Sequence, residues 1–265
     1  MTETYLQKLD KKFYSFYQQK PFPYVVIDNF LPTKLFKSAV KELGENISTT
    51  EDITLNDSTT RNKKTYTVNK SHPIIEEIVN LLSSKPLIRI LEKHTGIEGI
   101  IPLKDFNVNE TGLRFLHEME GGGFLGSHVD HINIGDNIHF LNSILYLTTN
   151  EIIGHGGLTY LHNKFGTKKI VGIEPKPNRL IIFFHSSESF HSVSKLSVKS
   201  PLRHTIYMDY YTNKKTLRKN LKSIRTSYQP KFWKHRTTFV PLNFSDYWTI
   251  RQYLKYFLKK YFTSL

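Results

Sequence analysis

Over the first hundred residues, apolar positions recur mostly at helical spacing. Tyr5, Leu6, Leu9, Phe13, Phe16 and Tyr17 predict a helix over 5–19, which Pro21 and Pro23 end. The short β-branched run Tyr24-Val25-Val26-Ile27-Asp28-Asn29-Phe30 predicts a strand. A helix starting at Leu31-Pro32-Thr33 shows one apolar face (Leu35, Phe36, Ala39, Val40, Leu43), with Gly44 as its stop. Residues 45–62 are polar and read as a loop, and Lys64-Thr65-Tyr66-Thr67-Val68 as a strand. Two more helices follow. One begins near Pro73 with Ser71 as its cap, and the other runs from Pro86 to Gly96.

From about residue 103 the pattern changes. Short apolar runs at 113–119, 128–132, 141–148, 157–161, 168–174, 179–184, 190–195 and 203–211 alternate with Gly, Asn and Pro. That spacing predicts a sandwich or jelly roll. The expected fold is α+β and mainly β, with a double-stranded β-helix (cupin-like) core, N-terminal helices supporting it and a C-terminal helical segment. The chain reads as one domain in three parts: a helical support over 1–102, a core over 103–213 and a basic, aromatic extension over 214–265. Within that extension, residues 245–262 keep a helical period and are expected to dock on their own domain.

Composition narrows the chemistry. There is no cysteine, which excludes a disulfide framework, a zinc ribbon and a thiol nucleophile and leaves His, Asp and Glu as metal ligands. The formal charge of +14 admits nucleic acid, an anionic membrane or an anionic substrate as partners, but the basic residues are scattered until the last third. No stretch approaches the roughly 20 apolar residues that span a bilayer. Met1-Thr2-Glu3-Thr4-Tyr5 lacks the profile of a signal peptide, so a cytoplasmic protein is expected.

His128 and Asp130 are two apart, and on a strand they share a face. They follow the glycine-rich stretch Gly121-Gly122-Gly123, which reads as a loop. His191, after the apolar run Leu180–Phe184, can close the set. Two imidazoles and a carboxylate on one side of a metal, with positions open opposite, suit non-haem Fe(II) that activates O₂. Arg203 lies at the start of the next strand, where a fixed cation can hold a dicarboxylate. Each part alone is common. The ordered set is the signal.

Together these residues resemble the prolyl-hydroxylase-like branch of the Fe(II)/2-oxoglutarate dioxygenases. The similarity runs from about Leu113 to Thr212. It takes in His128-Val129-Asp130, the strand Ile144-Leu145-Tyr146-Leu147, the Gly156-Gly157-Leu158 turn, Ile173–Leu180, Phe190-His191-Ser192-Val193 and Arg203 before Tyr210-Tyr211-Thr212. The opening Pro21–Leu31 also looks like the start of bacterial and phage members.

The resemblance implies that His128, Asp130 and His191 hold Fe(II) and form the catalytic centre. It implies that Arg203 grips the distal carboxylate of the 2-oxoglutarate co-substrate, with Thr205 and Tyr146 adding hydroxyl hydrogen bonds. O₂ is the oxidant and ascorbate a reductant, and succinate and CO₂ are released. Where some relatives carry a tyrosine shortly before the first metal histidine, this chain has His117-Glu118-Met119-Glu120. Asn142 and Arg114 are further candidates to face the pocket. His131 points to the other face of a regular strand, and His139, His155, His162, His185 and His204 read as surface or packed histidines.

The expected function is hydroxylation of an amino-acid or peptide side chain. The alternatives are the same chemistry on a glycan precursor, a secondary metabolite or nucleic acid, a cupin-type metal enzyme without 2-oxoglutarate, and a non-catalytic jelly-roll binding module. A dicarboxylate clamp at Arg203 argues against the last two.

Overall fold

The computed structural model describes residues 4–46, 52–68, 72–106, 115–130, 133–224, 228, 230 and 238–239. The chain begins with α1 (Tyr5–Phe13), capped by the Thr4 hydroxyl, which accepts from the Gln7 backbone amide. β1 (Tyr24–Ile27) and α2 (Thr33–Asn46) follow, then the hairpin β2 (Asp52–Leu55) and β3 (Thr60–Tyr66). Next come α3 (Pro73–Leu82), α4 (Lys85–Thr95) and β4 (Ile101–Pro102). The remaining strands are β5 (Leu116–Val129), β6 (Asn137–Tyr146), β7 (Thr159–His162), β8 (Lys169–Ile173), β9 (Leu180–Phe184), β10 (His191–Val193) and β11 (Arg203–Asn213). After them come α5 (Lys214–Ser223) and β12 (Thr238–Phe239).

The strands form one curled antiparallel sheet in the order β1-β9-β6-β11-β5-β10-β7-β8, with β3 and β12 also on β5. This is the jelly-roll core that the spacing of short apolar runs predicts. The long strand β5 makes the curl. Its first part pairs with β11, from Leu116 opposite Ile206 to Met119 opposite Arg203. Its last part pairs with β10, with His128 opposite His191. One strand thus belongs to both walls.

The three glycines lie inside β5 and not in a loop, which corrects the sequence reading. At Gly121 and Gly123 other backbone passes too close for a side chain, and Gly122 has φ +80°. A Cβ at Gly121 would lie 2.3 Å from the Val198 carbonyl oxygen, and one at Gly123 would lie 2.7 Å from the Glu120 carbonyl oxygen. Three other expectations also shift. The first helix ends at Phe13 and is followed by a 3-10 turn at Phe16–Gln18. The polar stretch 45–62 contains β2 and the start of β3, whose charged residues sit on a hairpin at the sheet edge where alternation is hard to see. His72, not Ser71, stands at the N-cap of α3, and Ser71 lies outside the described residues. The predicted helix over 245–262 is outside them as well.

Alternation along β11 divides the molecule into an outer and an inner side. Ile206, Met208 and Tyr210 join the main core with Leu9 and Phe13 of α1, Ile75 and Ile78 of α3, and Leu87 and Leu91 of α4. Each such fully buried side chain contributes roughly 1.5–3 kcal/mol. Arg203, Thr205, Tyr207 and Asp209 fall on the opposite face, towards the interior of the curl. There a smaller apolar cluster of Ile144, Tyr146, Leu161, Ile181 and Phe183 forms the floor.

Candidate functional site

The wall shared by β5 and β10 brings two histidines together. His128 and His191 are register partners with ring centroids 4.2 Å apart. The His128 Nδ1 contacts the Gly126 carbonyl at 2.8 Å, and the His191 Nδ1 contacts the Ser189 carbonyl at 3.1 Å. A carbonyl only accepts, so Nδ1 carries the proton in each ring and Nε2 keeps its lone pair. Those two Nε2 atoms converge on Asp130, at 3.3 Å from Oδ1 and 3.2 Å from Oδ2. One ligand atom from each of the three residues lies within 4.8 Å of the others.

Electrostatics agree with a cation site. Burial pushes the His128 pKa down, and the neighbouring His191 adds to that, so the ring stays neutral. Burial alone would raise the Asp130 carboxyl, but the two imidazoles beside it hold it well below its ordinary value. Two imidazole nitrogens and one carboxylate fit a divalent first-row metal such as Fe(II). The Asn142 side-chain amide donates to Asp130 Oδ2 at 3.4 Å and steadies the carboxylate.

A second cluster of polar groups, around Arg203, lies on the inner face of the curl. Arg203 is buried, donating from Nε to the Gly157 carbonyl at 3.0 Å and from Nη2 to Thr159 Oγ1 at 3.2 Å. Its guanidinium stands 4.9 Å from the centre of the Tyr146 ring. The close approach needs Gly157, which has φ +69° and where a Cβ would sit 3.1 Å from Arg203 Cδ. The Thr205 hydroxyl is buried and has no hydrogen-bond partner among the described residues. A buried cation beside an unused hydroxyl is a fitting cradle for a carboxylate. The Tyr146 hydroxyl is already within 2.5 Å of Thr159 Oγ1.

Tyr207, Thr159, Lys63 and Asp209 also belong to this interior, and the sequence reading missed them. Burial raises the Tyr207 pKa and keeps the phenol protonated, hydrogen-bonded to Arg203. His117 stacks on the Tyr207 ring at 4.2 Å. Tyr207 and Asp209 were legible as the continuation of the 203, 205 alternation. Lys63 and Thr159 carried no motif.

Other histidines among the described residues have other partners. His139 stacks on His185 at 4.1 Å and lies 3.4 Å from Asp209. His162 meets Ser192 Oγ at 2.7 Å, His155 meets Ser197 Oγ at 2.7 Å, and His204 pairs with Glu118 at 2.8 Å on the outer side. Arg114 and His131 lie outside the described residues.

In sequence, residues 114–211 match the 2OG-Fe(II) oxygenase superfamily. That match covers the core strands from β5 to β11. Iron and 2-oxoglutarate are the cofactor and co-substrate of that family, and the donor set described above fits them. The fold is shared with solved prolyl hydroxylases. A prolyl hydroxylase from Trichoplax adhaerens, in complex with a hypoxia inducible factor oxygen degradation domain peptide, superposes with a TM-score of 0.58 at 17% identity, over 83% of this chain and 96% of that one. A prolyl-4-hydroxylase from Pseudomonas putida gives 0.57 at 14%, over 78% and 99%. An oxidoreductase of the 2OG-Fe(II) oxygenase family from Burkholderia pseudomallei gives 0.54 at 15%, over 78% and 92%. None of the curated proteins matches the chain in sequence. No helix among the described residues is long and apolar enough to cross a membrane.

Proposed function

We propose that this oxygenase hydroxylates an amino-acid or peptide side chain, with His128, Asp130 and His191 holding Fe(II) and Arg203 holding 2-oxoglutarate. The observation that carries the ligand assignment is the convergence of two Nε2 atoms on one carboxylate, with both Nδ1–H groups tied back to carbonyls. Bound Fe(II) and 2-oxoglutarate supply the oxidising chemistry, with release of succinate and CO₂.

The chain supplies position and dryness. Arg203, fixed by Gly157 and Thr159, presents its guanidinium to the distal carboxylate of the co-substrate. Thr205 donates its unused hydroxyl to the same group. Tyr146 is a supporting contact, since its hydroxyl is engaged by Thr159 and its ring lies beside the guanidinium. Ile144, Ile181 and Phe183 exclude water from the floor of the site. Asn142 steadies Asp130.

The fold shared with solved prolyl hydroxylases supports an amino-acid or peptide substrate. A single domain, with the helices packed on the core through one apolar cluster, and a cytoplasmic location are part of the same reading. The test is anaerobic addition of Fe(II) and 2-oxoglutarate. A weak visible charge-transfer band, lost in Asp130→Ala, is expected. A fully metallated protein without that band would overturn the assignment.

A further inference from the structure

The interior of the curl contains a cation that neither the triad nor the Arg203 pocket uses. Lys63 is opposite Met119 on β5, and Met119 is opposite Arg203 on β11. Cross-strand partners share a face, so Lys63 points inward with Arg203. Its Nζ lies 5.7 Å from the centre of the Tyr207 ring. The next residue, Lys64, is on the other face and pairs with Glu120 at 2.7 Å. Lys63 has no ion-pair partner among the described residues. Loss of water brings its pKa down to about 8, against the pull of Asp130 and Asp209. It therefore stays largely charged at neutral pH. A half-buried cation with no ion-pair partner at contact distance is a ready partner for an arriving anion.

The same interior offers acceptors. Asn142 Oδ1 is buried and has no hydrogen-bond partner among the described residues, while the amide nitrogen of Asn142 is turned to Asp130. Asp209, the register partner of Asn142, is partly exposed and has His139 at 3.4 Å from one of its two oxygens. A cation and a pair of acceptors thus lie on the inner face of the same curl as the triad. A ligand that satisfies both carries a carboxylate and an ammonium. A residue inside a peptide chain has neither its α-carboxylate nor its α-ammonium free.

Resting on the reading of the chain as a 2-oxoglutarate oxygenase, we propose that its substrate is a free α-amino acid, with Lys63 taking the carboxylate and Asn142 and Asp209 taking the ammonium. The carboxylate chemistry at Lys63 has two sources, the amino acid or 2-oxoglutarate, and the experiment separates them.

The probes are the standard L-amino acids, their α-carboxamides and a proline-containing peptide, each added to the full-length Fe(II) protein with 2-oxoglutarate and O₂. Succinate release is the readout. At least one free amino acid is expected to raise it, while the matching carboxamide loses about tenfold or more in apparent affinity, as removal of a charge-assisted contact implies. Lys63→Met is expected to raise the KM for that amino acid about tenfold, Lys63→Arg to recover part of it, and the anaerobic 2-oxoglutarate titration to stay within about twofold of wild type.

Equal response to acid and carboxamide, no response to any free amino acid, or preferential turnover of the peptide would overturn the proposal. So would a Lys63→Met variant that weakens 2-oxoglutarate instead, which would assign Lys63 to the co-substrate. The acid and carboxamide comparison uses wild-type protein, so it does not depend on how the variants fold. The wild-type charge-transfer band keeps the two readings apart. Its absence would end both, whereas its presence without an amino-acid response would end only this one.

Discussion

His128 and His191 stand opposite each other across β5 and β10, and each ring is locked by the carbonyl two residues before it, Gly126 and Ser189. Both imidazoles therefore present the same nitrogen to the same point, and neither needs to change tautomer to receive a metal. Such preorganisation makes the three ligands interdependent. His128→Ala, Asp130→Ala and His191→Ala are each expected to lower Fe(II) affinity by about tenfold to a hundredfold or more, the scale on which even outer partners of a metal site act. Equilibrium dialysis under anaerobic conditions measures this. Wild-type affinity in any of the three would remove that residue from the site.

Arg203 and Gly157 form one unit. Arg203→Ala is expected to weaken 2-oxoglutarate by about 1.5–3 kcal/mol, the worth of a charged hydrogen bond. Gly157→Ala is expected to do part of the same without touching a charge. Its Cβ would press on Leu196 Cδ2 at 2.7 Å and on Arg203 Cδ at 3.1 Å from a backbone at φ +69°. Titration of the anaerobic iron protein with 2-oxoglutarate measures both, and an unchanged affinity in Arg203→Ala would reassign the clamp.

The glycines within β5 are a stability feature. Gly121→Ala places a Cβ 2.3 Å from the Val198 carbonyl oxygen, so backbone has to move. The expected loss is about 1–3 kcal/mol, the usual cost of overpacking. Gly99→Ala is the control for adding a methyl group at a glycine, since a Cβ there meets nothing within 4 Å, although φ +64° adds some strain. Denaturant unfolding of the two variants compares them, and equal midpoints would count against the crowding argument.

On the outer face, Glu118 accepts from Tyr66 at 3.1 Å, pairs with His204 at 2.8 Å and lies 3.9 Å from Lys64. Burial raises its pKa, but these partners outweigh burial and leave it below 4.5. A carboxyl depressed on folding stabilises above its unfolded pKa, and the stabilisation is lost as pH falls through the folded value. Melting temperature is therefore expected to fall in acid below about pH 4.5, and Glu118→Gln to flatten that limb while costing about 1.5–3 kcal/mol at neutral pH. An unchanged acid limb in the variant would place the acid sensitivity elsewhere.

Much of this architecture was legible in the residues. The spacing of short apolar runs indicated the jelly roll, because alternation and punctuation are local. His128, Asp130, His191 and Arg203 were singled out as an ordered set of metal-ligand types followed by a cation, and the structure brings all four into one interior. Lys63 was not legible. In Thr60–Tyr66 it sits among other polar residues, and only pairing through Met119 to Arg203 reveals which face it takes. Thr159 was missed for the same reason, since its role depends on a turn that brings Gly157 to Arg203. The triple glycine misled, because glycine marks both loops and close backbone approach, and only the neighbour at Val198 distinguishes them.

β10 has three residues, whereas β5 has fourteen. His191 therefore hangs on a short strip between β5 and β7, while His128 belongs to a long strand paired on both sides. Short strands open at lower free energy than the sheet around them. A ligand that bridges the two stabilises the closed form by mass action. The ion would then act as a clasp, and amide hydrogen exchange at 191–193 should slow on metal loading far more than at 116–119. Loss of iron and opening of that wall would become a single event, with metal availability setting how long the interior stays shut.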